Sequence, residues 1–336
     1  MAAEEPVADV GVIGTQLTPI AEAVCLKLGA EGSTPRVVCA HATGAPGAVE
    51  AFAAADAQGA KLVPASSAAD LCAKLKAPRC VFVFGDAAGT DGLLGALEPH
   101  LAAGDTVVDA SPTSSLAEAR RRGEALAARE VRLLCLGLPG SRRQVLGGAS
   151  LVVSGAEAAW AGLPQELLQQ LAASDGRAPC CTRVGGAGTA HLAQQVHDGL
   201  EASLLQLIGE AVHLLEGALL MSHAEAAEVL EGWGKSAELA LESSLLELTR
   251  TVLSAEAEAA PVLDSVLDTG SQAAVVGGGG GGAAALLELG LGHSAVLDGA
   301  LQAAASAALA RRVAHRAETS QAPTHPLPAL TLSSTS

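Results

Sequence analysis

The amino-acid sequence predicts an α/β fold: a doubly wound parallel sheet in the N-terminal part, followed by an all-α helical domain. Three observations carry this. Up to about residue 178, short runs rich in Val, Leu, Ile and Phe alternate with Ala- and Leu-rich stretches, the pattern of strands joined by crossover helices. From Ala190 to about Ser254 the apolar spacing is helical, with few β-branched residues. The chain is also 49% hydrophobic yet has no Tyr, three Phe and two Trp, so its core must be aliphatic and finely packed.

In chain order, ADVGVIG (8–14) reads as a buried strand ending in a glycine turn, and an apolar helix follows from about Pro19 to Leu28. RVVCA (36–40) is the next strand and GAVEAFAAADAQGA the next helix. KLVPASSAADLCAKLKAP supplies a strand end and a helix, and RCVFVFG (79–85) a further strand. GLLGALEPHLAAG reads as helix, TVVDAS (106–111) as strand, SSLAEARRRGEALAARE as helix and VRLLCLGL (131–138) as strand. LGGASLVVSG and one helix, AEAAWAGLPQELLQQLAAS, complete a first domain over residues 1–178. The helical domain spans 179–316, with interruptions at EGWGKS and AEAAPVLDS and a run of glycines at 277–282 that reads as a flexible linker. The Ser-, Thr- and Pro-rich stretch 317–336 reads as a disordered tail.

A net charge of −16 argues against nucleic acid and anionic membranes as partners. The five lysines are Lys27, Lys61, Lys74, Lys76 and Lys235, so none lies between residues 77 and 234. The seven cysteines show no metal-type spacing and sit mostly in apolar runs, where a reduced Cys behaves as a small hydrophobe. A reducing, cytoplasmic setting is expected. The start, MAAEEPVADV, has no signal-peptide pattern, and no apolar window is long enough for a transmembrane span.

The stretch that organises the chain is PCCTRVGGAGTAHLAQQVHDGLE (179–201), a glycine turn feeding a helix. His197 and Glu201 lie four residues apart and so share a helix face. The stretch resembles the catalytic helix of the 6-phosphogluconate dehydrogenases. KAPR (76–79), GAEAAW (155–160), QLIGEAVHL (206–214) and SLLELT (244–249) continue the resemblance in order over about residues 8–316. It implies a Rossmann-type nucleotide domain, an all-helical partner domain, NADP as cofactor, and oxidative decarboxylation of 6-phosphogluconate to ribulose 5-phosphate in the pentose phosphate pathway. It also implies a dimer. Because the chain stops before the family's last helices, a divergent and C-terminally shortened member is expected.

The resemblance also assigns residues, and several depart from the family pattern. In the nucleotide fingerprint Gly11 and Gly14 are kept, while Gln16 and Pro19 stand where two further small residues belong. At the end of the second strand His41-Ala42-Thr43 replaces an Arg-containing segment, leaving Thr43 as the cofactor-binding position. Gly85-Asp86-Ala87 replaces a Lys-containing one, leaving Ala87. Cofactor binding is therefore expected to be weak. For the substrate, the corresponding positions are Gly140, Ser141, His197, Asp198 and Glu201.

In the family a helix lysine is the base and a glutamate the acid. Glu201 matches the acid, but the base falls on Gln194, which cannot accept and return a proton near neutrality. Pro112, Ala202, Ala303 and the segment Gln272–Gly278 likewise replace family ligands of cofactor or substrate. His191, His197 and Glu201 are metal-ligand types on one helix, but the expectation is core or inherited-site histidines and no metal. Cys180 and Cys181 have no defined His–acid partner for a nucleophilic role. The resulting expectation is a catalytically impaired pseudoenzyme, a homodimer or a partner of an intact homologue. The alternative is an NAD(P)-dependent dehydrogenase of altered specificity for a small hydroxy acid, with His197 as base and Glu201 as acid.

Overall fold

The computed structural model describes residues 6–265 apart from 31–35, 57–58, 86–88, 112–114, 139–140, 164, 237–242 and 258–259. The expected linker, last helix and tail lie outside these residues, as do Ala87, Gly140, Pro112 and Ala303. The described residues fall into two units, one running to Ala202 and one starting at Ser203.

In the first unit the apolar runs form β1 (Val10–Gly14), β2 (Val38–Ala42), β3 (Leu62–Pro64), β4 (Cys80–Phe84), β5 (Thr106–Asp109), β6 (Arg132–Gly137), β7 (Leu151–Gly155) and β8 (Cys181–Arg183). They make one sheet in the order β3-β2-β1-β4-β5-β6-β7-β8. Helices α1 (Pro19–Gly29), α2 (Ala48–Asp56), α3 (Ala68–Lys74), α4 (Thr90–Leu97), α5 (Leu116–Ala127), α6 (Arg142–Gly147), α7 (Glu157–Gly162) and α8 (Gln165–Leu171) join the strands.

Because a strand alternates its side chains, β4 feeds both faces. Phe82 and Phe84 enter a core with Val12, Val24, Val108 and Leu134, while Val81 and Val83 enter another with Ile13, Leu71, Leu97 and Cys135. Covered on both sides, the central strands are continuous apolar runs, as a buried parallel sheet requires. Cys25, Cys39, Cys80 and Cys135 serve as core residues, and burial pushes each thiol up to about 12.

The expected doubly wound α/β sheet is present, with a difference at one edge. β7 runs antiparallel to β6, and β8 is parallel to β7. A parallel return needs a crossover that travels back along the whole strand. The six residues of α6 rise only about 9 Å, so β7 starts near the end of β6 and runs back. A second difference is the stretch 156–174, read as one helix and found as α7 and α8. Leu163, preceding Pro164, is extended (φ −84°, ψ 135°), the conformation a following proline favours. The sheet also claims β8, which the sequence reading put in the helical domain.

α9 (Thr189–Gly217) begins in the first unit, and the second contains α10 (His223–Lys235) and α11 (Ser244–Leu253). The break between α9 and α10 was not foreseen. There Leu220 takes φ 55°, and Ser222 and Glu225 form a capping box at the start of α10. The Gly232-Trp233-Gly234 segment, read as part of an interruption, lies inside α10 near its end. Leu215, Ala226, Leu230 and Leu253 make a small separate core. Among the described residues no helix is long and apolar enough to cross a membrane.

Phe82 is fully buried at the centre of the sheet. Phe82→Ala is expected to lower unfolding free energy by about 3–5 kcal/mol, read from urea denaturation midpoints at unchanged slope.

Candidate functional site

The sheet's C-terminal edge carries the first group of expected site residues. Gly14 ends β1, and a Cβ there would lie 2.4 Å from the Gln16 carbonyl oxygen and 3.2 Å from that of Phe84. Only glycine fits this turn. Thr18 caps α1, its Oγ1 accepting from the Ala21 N–H at 3.2 Å, and Pro19 opens the helix, where its missing N–H costs nothing. The N–H groups of Gln16 and Leu17 make no hydrogen bond among the described residues. Together with the helix terminus they form a seat of the kind that takes an anion. Gly11 is not part of it. It lies within β1, where a Cβ would meet Leu75 at 2.8 Å and Leu71 at 3.0 Å, so it is glycine for packing.

Thr43 is spent on the same turn. Its N–H donates to the Gly14 carbonyl at 3.0 Å and its hydroxyl to the same oxygen at 3.4 Å, while the Gly44 N–H donates to Thr15 at 2.8 Å. His41 holds the Ala65 carbonyl through Nδ1 at 2.8 Å. The segment HATGAPG (41–47) offers no Lys or Arg. The end of β2 is therefore a neutral loop that braces the glycine turn.

Beyond β4 and β5 lies a buried polar lattice. The Ser111 hydroxyl accepts from the Gly85 N–H and from Thr90, each at 3.0 Å, and the Ser111 N–H donates to Asp109 Oδ1 at 3.0 Å. Arg122 of α5 is 3% exposed and joins Asp91 Oδ1 (2.6 Å) to Asp109 Oδ2 (3.5 Å). Its hydrogen bond holds the Asp91 carboxyl below the usual carboxylate range. That contribution to stability is present above the unfolded carboxylate pKa and is lost as pH falls through the folded one.

The second group sits on α9, and its first turns are pinned to the sheet. Gly188 has φ 88°, and a Cβ there would meet Ala119 at 2.9 Å and Leu116 at 3.0 Å. The Gly188 N–H donates to Cys135 Sγ at 3.3 Å and the Ala190 N–H to Ser154 Oγ at 2.9 Å. His191 is buried with Nε2 2.9 Å from the Asp109 carbonyl. A carbonyl only accepts, so Nε2 carries the proton. His191 is thus a positioning residue and does not join His197 and Glu201.

Over the next three turns, Gln194, His197, Asp198 and Glu201 come together. Gln194 is 9% exposed and donates from Nε2 to Asp198 Oδ1 at 2.7 Å. Asp198 is buried and His197 exposed, with Nδ1 3.3 Å from the same Oδ1. Burial pushes the Asp198 carboxyl above its ordinary pKa, against the hydrogen bonds from Gln194 and His197. A ring nitrogen of His197 and carboxylate oxygens of Asp198 and Glu201 all lie within 4.8 Å of one another. A cavity of about 300 Å³ opens beside them, lined by Gln144, Ser150, Val152, Ala193, Gln194 and His197. Ser141 is engaged as the cap of α6, accepting from the Gln144 N–H at 3.2 Å. A second cavity, about 480 Å³, lies in the helical unit against Glu216, His223 and Leu253, and holds none of the expected site residues.

The sequence reading did not pick out Ser154, Cys135, Asp109 or Arg122, which position the site. An Asp closing the apolar run TVVD was the one available signal.

Two family models match the chain: the NAD binding domain of 6-phosphogluconate dehydrogenase over residues 37–186, and the 6-phosphogluconate dehydrogenase C-terminal domain over 190–332. The first begins after β1 and its glycine turn, and the second runs into the stretch read as a tail. A decarboxylating 6-phosphogluconate dehydrogenase of Caenorhabditis elegans is 35% identical over 268 residues, 79% of this chain and 53% of the relative. One from Saccharomyces cerevisiae is 32% identical, over 79% of this chain and 52% of the relative. The chain spans about half the length of the curated relatives it matches. Among solved structures, Plasmodium falciparum 6-phosphogluconate dehydrogenase, described in apo form and with NADP+ or 6-phosphogluconate, superposes with TM-score 0.74 at 21% identity, covering 96% of this chain and 67% of that one. At that identity the likeness speaks for the fold.

The lattice gives a paired prediction. Arg122→Met removes the cation between two carboxylates, one of them fully buried, and is expected to destabilise the fold by about 3–5 kcal/mol. Arg121→Met, at an exposed pair with Asp91, should cost under about 1 kcal/mol. Urea denaturation of both variants at neutral pH measures the contrast.

Proposed function

The chain belongs to the 6-phosphogluconate dehydrogenase family, and from that premise we propose that it is a member whose oxidative decarboxylation is lost or severely reduced. The observation that carries this is Gln194. It occupies the position of the family's base, is nine-tenths buried, and donates its amide N–H to Asp198 at 2.7 Å. A primary amide neither takes nor returns a proton near neutrality, and a general base contributes about 10²–10⁴-fold. The sequence has no lysine between residues 77 and 234 to replace it. A dianionic phosphate needs several charge-assisted donors, whereas the described groups here are two carboxylates, an amide and an imidazole.

The nucleotide seat supports a reduced role. NADP, when bound, accepts the hydride in the family reaction. The turn at Gly14 and the start of α1 fit the diphosphate of a dinucleotide. The end of β2 does not fit a 2′-phosphate, because Thr43 and His41 are engaged by the protein, the segment 41–47 carries no Lys or Arg, and Lys74 beside it is held by the Pro64 carbonyl and Asp70. We propose weak binding of NAD or NADP through the diphosphate alone.

A role as partner of an intact homologue in the cytoplasm, or as a homodimer, accounts for the conserved frame beside the altered chemistry. It is supported by α9, where Leu200, Leu204, Leu207 and Leu214 are 44–62% exposed and recur at helical spacing along one stripe. The second reading, a dehydrogenase acting on a small hydroxy acid with His197 as base and Glu201 as acid, is favoured by the cavity beside His197.

Two measurements test the proposal. With 6-phosphogluconate and NADP, the purified chain is expected to form no NADPH by absorbance, and turnover comparable to an intact enzyme refutes it. In calorimetry NADP should bind no more tightly than NAD; a marked preference for NADP would show that the end of β2 recognises the extra phosphate.

A further inference from the structure

The altered residues of α9 leave an unusual surplus of acceptors. Asp198 is only 6% exposed, yet its hydrogen bonds from Gln194 and His197 both reach Oδ1. Asp198 Oδ2, Gln194 Oε1 and the Glu201 carboxylate make no hydrogen bond among the described residues. Neither Asp198 Oδ2 nor Gln194 Oε1 is sealed from solvent without a partner, so each is an open acceptor on a side chain about nine-tenths buried. Gln194 and His197 line the cavity of about 300 Å³. No lysine or arginine stands among the groups that act on Asp198, which are Gln194, His197 and Glu201. A buried carboxylate and a second carboxylate beside it, with no cation of their own, ask for a positive ligand.

We propose that His197, Asp198 and Glu201 form a binding site for a divalent transition-metal ion of the Zn²⁺ or Mn²⁺ class, with Gln194 Oε1 as a further oxygen donor. Charge selects a dication over an organic ammonium, because two carboxylates neutralise a double charge and leave a single one in excess. The donor set of one imidazole and two carboxylates suits these metals. Donor atoms around an ion bound at about 2.0–2.2 Å stand roughly 3–4 Å apart. The three groups already lie within 4.8 Å, so closing by up to about 1–2 Å, within reach of a rotamer change at Glu201, completes the set. Three protein ligands, or four with Gln194, leave positions in a five- or six-coordinate shell for water or a ligand oxygen from the cavity. The site is read in binding alone and does not depend on the fate of the dehydrogenase reaction.

The test uses the full chain, freed of metal by chelator and then titrated with Mn²⁺ by electron paramagnetic resonance and with Zn²⁺ by calorimetry. One micromolar site is expected for each ion. Asp198→Asn and Glu201→Gln should each weaken it by at least about tenfold, with unchanged far-UV circular dichroism. Cys181→Ser, which removes a thiol outside the cluster, should leave Mn²⁺ affinity as it was. Absence of saturable binding of either ion overturns the proposal. So does binding that Glu201→Gln and Asp198→Asn both leave unchanged, and so does an ethylammonium probe that binds more tightly than both metals.

Discussion

The site depends on how the first turn of α9 is fastened to the sheet. A helix begins with N–H groups that have no partner in the helix, and here two are taken by side chains of the strands beneath. Cys135 of β6 accepts from Gly188 and Ser154 of β7 accepts from Ala190. His191 adds a third fastening by donating to the Asp109 carbonyl at the end of β5. These contacts require a close approach, and Gly188 permits it where any Cβ would meet α5. Three strands and a helix thus set the rotation of α9, and that rotation decides which side chains face the cavity. Gln194 and Asp198 turn inward, and His197 turns to its rim.

Given that fixed frame, the chemistry follows from side-chain identity. With a lysine the inward face would carry a cation able to shuttle a proton. With Gln194 it carries an amide whose N–H is already given to Asp198. The result is a site of acceptors, opposite in character to one that binds a phosphorylated acid. The nucleotide end shows the same separation of frame and chemistry. Gly14 and the cap at Thr18 keep the turn, while Thr43 and His41 serve the protein itself. The chain thus retains the packing and backbone geometry of the family's frame, and the reduced activity proposed above rests on a few side chains that differ.

Much of the fold was legible because a parallel sheet buried on both faces writes itself as apolar runs, as at Val10–Gly14 and Cys80–Phe84. The reversal of β7 was not legible, since strand direction depends on how far the six-residue α6 carries the chain, and periodicity says nothing of that. The turn at Leu220 was missed because its one glycine, Gly217, is embedded among apolar residues that continue the helical spacing, although Ser222 and Glu225 carry the signature of the helix that follows. In the site, the grouping of His197, Asp198 and Glu201 follows from helical spacing. The separation of His191 from them depends on the Asp109 carbonyl, contributed from far away in the sequence. Gly11 and Gly14 look alike in a motif, and only the neighbours of each show that one serves packing and the other the turn.

The central claim is that the frame of α9 persists without the charges that hold a phosphorylated sugar acid. Its most direct measurement is calorimetric titration of the purified chain with 6-phosphogluconate. The account predicts no saturable heat, because Gln194, Asp198 and Glu201 present no cation to a phosphate or a carboxylate. Micromolar binding, abolished by substitution of His197 or Gln194, would contradict it and show that the site still recognises the family's substrate.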